Sequence, residues 1–155
     1  MNFRASWEFF PYHARDISEI KLDTNVRVIG PLYVNLGIGR GAYPEYYDDE
    51  LEKNRGGFHL SLGTEVQYPL LKRNFFGLYG QPISLVGGFK FFEYIHYRVD
   101  TNHFGGSFYG GINLLYYFYF GLGYRIMTSE KCPGRHYLYE DPSGFFLSIG
   151  LRFGF

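Results

Sequence analysis

The 155-residue chain balances 15 basic against 15 acidic side chains, so its formal charge is zero and nothing in it recommends a nucleic-acid partner. Aromatic residues at 22% together with 21 glycines exclude a disordered chain and fit a single all-β domain, while the lone Cys132 excludes an internal disulfide. No apolar run reaches the roughly 20 residues a transmembrane helix needs: the longest, from Leu114 to Leu122, is interrupted by Gly121, so any membrane crossing has to use strands.

Eight segments alternate between apolar and polar or small residues, the period of a strand with two unlike faces. The first, about 2–10, sets Phe3, Ala5, Trp7 and Phe9 against Arg4, Ser6 and Glu8. It starts directly after Met1 with no apolar leader, so the sequence reads as a mature chain, signal peptide absent, with an added start methionine. The second, about 19–29, opposes Ile20, Leu22, Val26 and Val28 to Lys21, Asp23, Asn25 and Arg27, and Gly30-Pro31 then turns the chain. The third, about 32–42, opposes Leu32, Val34, Leu36 and Ile38 to Tyr33, Asn35, Gly37 and Gly39.

Residues 43–56, with Pro44 and a run of charges, read as a loop. The fourth segment, about 57–68, sets Phe58, Leu60, Leu62, Val66 and Tyr68 against His59, Ser61, Gly63, Glu65 and Gln67. A connection through Lys72, Arg73 and Asn74 leads to the fifth, about 82–97, with Ile83, Leu85, Phe89 and Phe91 opposite Ser84, Gly88 and Lys90. The sixth, about 103–114, has Phe104, Phe108, Ile112 and Leu114 against Gly105, Ser107, Tyr109, Gly111 and Asn113. The seventh, about 117–127, has Phe118, Phe120, Leu122, Tyr124 and Ile126 against Tyr119, Gly121, Gly123 and Arg125. The last runs from Phe145 to Phe155, with Leu147, Ile149, Leu151 and Phe153 on the same face, and Phe146, Ser148, Gly150, Arg152 and Gly154 on the other.

Eight such strands joined up and down predict an antiparallel barrel. The connections at one end (30–31, 69–81, 115–116) are mostly short and those at the other (11–18, 43–56, 98–102, 128–142) mostly longer and charged, the asymmetry of outer-membrane barrels. The interior of an eight-stranded barrel is only just wide enough for side chains to fill, and glycines beside long cations suit that space. The apolar faces are therefore expected to point outward. Arg4, Glu8, Lys21, Asp23, Arg27, Glu65, Lys90, Arg125 and Arg152 are expected inside, in a network holding both signs of charge. Tyr12, Tyr43, Tyr46, Tyr47, Tyr68, Tyr94, Tyr97, Tyr116 and Tyr117 cluster near strand ends, where an interfacial girdle sits.

The chain thus resembles the small eight-stranded outer-membrane barrels of Gram-negative-type bacteria. Its ending, Gly150-Leu151-Arg152-Phe153-Gly154-Phe155, is similar to the C-terminal signal, closing on Phe, by which such barrels are recognised for assembly. The resemblance implies an all-β transmembrane barrel in the bacterial outer membrane, with Phe153 and Phe155 read by the assembly machinery, membrane lipid and lipopolysaccharide as surroundings, and no cofactor. It leaves the activity open, because the same barrel hosts adhesins, anchors and lipid-modifying enzymes.

Three constellations could carry chemistry. His59 and Ser61, with Glu65, share one face of the fourth strand, and a serine beside a histidine oriented by a carboxylate is the arrangement that attacks esters. Lipid A deacylase barrels are similar in their His-x-Ser spacing, with Leu62 standing where they carry Asn. The alternative is that these residues belong to the interior network, since residues two apart on a strand sit about 6.6 Å from each other. His13, Arg15 and Asp16, with His103 or His136, bear some likeness to the outer-end polar groups of palmitoyl-transferring barrels, but read as ordinary loop residues. The acidic run Glu45, Asp48, Asp49, Glu50 and Glu52 is followed at once by Lys53 and Arg55 and lacks the spacing of a calcium loop, and Cys132 has no metal-ligand spacing, so no metal is expected. The expectation is a non-catalytic barrel with a structural or surface-interaction role, meeting lipopolysaccharide or an extracellular or envelope protein partner through 43–56 and 128–142. Its rivals are an acyl-ester hydrolase or acyltransferase, a narrow pore, and a soluble lipocalin-like barrel.

Overall fold

A computed structural model describes residues 1–10, 17–47, 50–71, 83–96, 102–115, 117–127, 137–139 and 143–154. They form nine strands: β1 (Asn2–Phe10), β2 (Ile17–Ile29), β3 (Leu32–Tyr47), β4 (Glu50–Leu71), β5 (Ile83–His96), β6 (Asn102–Leu114), β7 (Phe118–Met127), β8 (Tyr137–Tyr139) and β9 (Gly144–Gly154). No helix occurs among the described residues. Each of β1 to β6 pairs antiparallel with the next, β7 pairs with β9, and β9 pairs with β1 from Asn2↔Gly154 to Phe9↔Leu147. The ring is closed: eight strands, all antiparallel, with no free edge within the barrel wall.

The start of β1, the end of β9 and the turns after β2 and β6 lie at one end, the terminal end. After β2 the turn is made by Gly30, whose φ of 52° is a left-handed value that glycine adopts without strain. After β6 the same region is taken by Leu115, φ 49°, where the Tyr117 amide donates to the Leu114 carbonyl at 3.2 Å.

At the opposite, hairpin end the structure departs from the expected loop. Residues 43–56 are mostly strand: β3 continues to Tyr47 and pairs with β4 as far as Tyr47↔Glu50. The proline that suggested a break is accommodated by its position. Pairing of β3 with β2 ends at Ala42 and pairing with β8 begins at Glu45, so Pro44 falls in the gap and its missing N–H removes no bond from that side. β8, inside the segment read as loop 128–142, adds a third strand to this projecting hairpin.

Alternation sorts the side chains as the binary pattern implies. Ile20, Leu22, Phe91, Phe108, Leu122, Phe145 and Phe153 are all exposed, with Ile20 at 69% and Phe91 at 65%. Buried instead are Arg4, Glu8, Glu19, Lys21, Asp23, Glu65, Lys90 and Arg125, each 6% exposed or less. The glycines explain how these fit: a Cβ on Gly39 would overlap the His59 imidazole, and one on Gly88 the ring of Tyr109. Across neighbouring strands, a large inward group thus lies over a glycine.

Candidate functional site

The lumen is where the chain concentrates its polar chemistry, in two clusters. In the first, cross-strand pairing sets Arg4 of β1 beside Asp23 of β2. Arg4 Nη2 lies 3.2 Å from Asp23 Oδ2 and Arg4 Nη1 lies 2.8 Å from Glu65 Oε2. Lys90 donates to the same Asp23 oxygen at 2.7 Å. Glu65, fully buried, also accepts from the Tyr109 hydroxyl at 2.8 Å and the Gln67 amide at 2.6 Å. Half-buried Arg152 is joined indirectly, donating to Gln67 Oε1 at 2.7 Å. The Arg4 guanidinium lies 4.3 Å from the centroid of the Tyr119 ring, a cation–π seat.

The second cluster sits nearer the hairpin end. Arg125 grips Glu19 with both terminal nitrogens, at 2.8 and 2.7 Å, and reaches Glu8 at 2.8 Å. Lys21 lies 2.5 Å from Glu8 and 3.4 Å from Glu19. A forked guanidinium–carboxylate pair is the strongest of these contacts and the most exacting in geometry. Aromatic rings enclose it, with Phe10 and Phe92 centroids 4.5 and 5.0 Å from the Arg125 guanidinium carbon. Fully interior charge is balanced among the described residues: Arg4, Lys21, Lys90 and Arg125 against Glu8, Glu19, Asp23 and Glu65. That balance matters because an unpaired charge in such a place costs several kcal/mol (~3–5).

The void bounded by Arg4, Glu8, Asp23, Lys90, Tyr109 and Tyr119, among others, measures about 10 Å³, about the room one water needs.

No protein-family model, curated protein or solved structure matches the chain. The site's chemistry has therefore to be read from its own geometry.

His59, Ser61 and Glu65 do face the lumen together, yet they do not assemble as a triad. Ser61 Oγ has no hydrogen-bond partner among the described residues, and with Asp23 Oδ1 it faces the side of Gly37 where a Cβ would stand. The carboxylate nearest His59 is Glu19, 3.7 Å from Nδ1, while Glu65 is turned to Arg4, Tyr109 and Gln67. All three side chains are shut inside the wall, on the face opposite the apolar exterior.

Arg27 departs from the expected network. Its parity is inward, but it lies at the rim of the terminal end, where β2–β3 pairing shifts between Arg27 and Ile29. It is exposed there and donates to the Gly30 carbonyl at 2.7 Å. Glu19, central to the second cluster, was missed because it stands at the expected edge of β2. The signal was present in the sequence: Glu19, Lys21 and Asp23 share one parity. Tyr109 and Tyr119 share the inward parity, but parity does not show their part in the network.

Phe153 is exposed on the outer face, and Phe155 lies outside the described residues. His13, Arg15, Asp16, Asp48, Asp49, Cys132 and His136 also lie outside them. Among the described residues no group of three His, Cys, Asp or Glu side chains is placed to hold a metal ion.

Proposed function

We propose that the chain is an integral outer-membrane barrel whose role is structural and surface-interacting, without catalysis. One observation carries this reading: burial is inverted, with charged residues sealed inside and large apolar ones, Leu22, Phe91, Phe108, Leu122 and Phe145 among them, turned out all around the ring. A soluble barrel gains nothing from an apolar exterior of this extent. A bilayer requires it, and it requires as well the closed pairing that leaves no wall strand with unsatisfied backbone groups. Tyr68 and Tyr117, exposed near the terminal end, fit an interfacial position.

In this reading the terminal end with its tight turns faces the periplasm and the hairpin end faces outward. The projecting sheet supports the surface role. Its β4 edge, residues 50–56, lies beyond the first β4–β5 pair at Gly57↔His96, so among the described residues it has a partner on the β3 side alone. Such an edge can take up a strand of another protein.

The test is folding by dilution from denaturant. We expect a folded form, recognised by a gel mobility that shifts on heating, in detergent micelles or lipid vesicles and none in plain buffer. A monodisperse, fully folded chain in plain buffer would sink the membrane reading.

A further inference from the structure

Strand pairing fixes the tilt of the wall as well as its order. From Asn2, at the terminal end of β1, the row of directly paired residues passes through Asn35, Lys90 and Arg125 and reaches Gly144, at the hairpin end of β9. Asn2 itself pairs across the closure with Gly154, ten residues nearer the terminal end of that strand. With about 3.3 Å per residue and about 4.8 Å between strands, this stagger tilts the strands by about 41°, and each step along a row climbs about 3 Å toward the hairpin end.

The outward faces of the eight barrel strands carry two charges among the described side chains, Arg40 on β3 and Glu93 on β5. Arg40 lies in the row of Ile20 and Phe58, and Glu93 in the row of Ile38 and Leu60, one outward step nearer the terminal end. That step lowers Glu93 by about 5 Å, and its place two strands further round raises it by about 6 Å. The two charges therefore stand at one height, about 12 Å apart around the wall, with β4 between them. Leu22 and Leu62 stand in the same relation, one step lower and two strands further, so they share a second height about 8 Å below the charges. Both leucines are exposed, and between them lies the open groove floored by Gly37 and Ser61.

Opposite charges at equal height on either side of one strand make a self-complementary face. Two copies standing the same way up in one membrane are related by a two-fold axis along the membrane normal, which sets the left of each face against the right of the other at unchanged height. With β4 toward that axis, Arg40 meets the partner's Glu93 on one side and Glu93 meets the partner's Arg40 on the other. Leu22 and the partner's Leu62 meet beneath them. We infer that this face is a homodimer interface, in which a second copy of the chain docks on β4 through two reciprocal Arg40–Glu93 ion pairs above an aliphatic contact. Such pairs are stronger at the edge of a bilayer than on a surface in water, because the surroundings screen them less. The inference rests on the membrane reading, because only a shared bilayer holds both copies upright and brings the charges to one level.

Sedimentation equilibrium of the full chain, refolded in density-matched detergent, reports the mass of the protein assembly. The wild-type chain is expected to be a dimer. Arg40→Glu and Glu93→Arg each set like charges together at both contacts and weaken it by about a hundredfold, tenfold for each contact. Mixed one to one, the two variants dimerise again, because every contact in the mixed pair joins opposite charges. Arg40→Gln removes attraction without adding repulsion and weakens the dimer by about tenfold, which keeps the test open should a reversed variant fail to refold. A wild-type monomer, bare or carrying lipid on this face, overturns the interface, and so does a dimer that the variants form as tightly as the wild-type chain. Heat-modifiable mobility keeps the two readings apart: a chain that needs detergent to fold yet stays monomeric removes the dimer alone, whereas one that folds in plain buffer removes the membrane reading and the dimer with it.

Discussion

Glu65 shows how much a single interior residue holds. It accepts from Arg4, Tyr109 and Gln67 while fully buried, so Glu65→Gln leaves the shape and removes the charge that Arg4 faces at 2.8 Å. We expect the variant to lose about 3 kcal/mol of stability, in the range for breaking a buried pair. Tyr109→Phe, which removes one neutral donor from the same carboxylate, loses about 2 kcal/mol. Urea titration of the refolded barrels in vesicles checks both, and a larger loss for Tyr109→Phe than for Glu65→Gln would contradict the charge argument. At this scale the sequence was legible wherever parity decides the matter. Arg4, Lys90 and Arg125 stand inward because each sits between two outward apolar residues. Parity says nothing about where a strand leaves the barrel, and that is why Arg27 was read as interior. Nor does it say which inward groups meet across the lumen: Glu19 and Arg125 are 106 positions apart, and only the curvature of the closed sheet brings them together.

The strands themselves depend on where each glycine stands in the wall. An inward Cβ on Gly63 would run into the main chain of β5 at Phe89 and Lys90, which cannot swing aside. On the outer face, a Cβ on Gly110 would meet nothing nearer than the Val86 carbonyl at 3.8 Å. Gly63→Ala should therefore cost about 2 kcal/mol, as overpacking does. Gly110→Ala should be neutral or raise stability by up to about 1 kcal/mol, because it narrows the unfolded ensemble without strain. Denaturant midpoints of the two variants, measured side by side, decide it, and a Gly110→Ala loss as large as that of Gly63→Ala would refute the assigned faces. Period-two alternation made all eight wall strands legible, because a wall with one apolar and one polar face cannot be written in any other pattern. It failed for the projecting hairpin. There both faces of β3 and β4 lie beyond the barrel wall, the pattern lapses, and only pairing shows that residues 43–56 are strand.

For the molecule as a whole, the interior ion pairs bear on what can pass through the lumen. An eight-stranded barrel encloses room for its own side chains, whereas barrels of 16 or more strands leave an aqueous channel. Here the residual void near Arg4 and Lys90 is about 10 Å³. An ion crossing the lumen would also have to part the Arg125–Glu19 fork and displace the rings of Phe10 and Phe92 around it. Separating one such buried pair costs about 3–5 kcal/mol, and the cations and anions are interlocked so that freeing Asp23 takes a partner from both Lys90 and Arg4, leaving Arg4 with Glu65. The expected result in a planar bilayer is conductance indistinguishable from bare lipid, across the voltages the membrane withstands. Discrete, reproducible steps from the wild-type chain would mean that the interior opens in a way its ion pairs forbid, and the charges would then have to be assigned to a conduction path. Silence has a structural reason: the salt bridges that let the polar side chains occupy the lumen are the same contacts that close it.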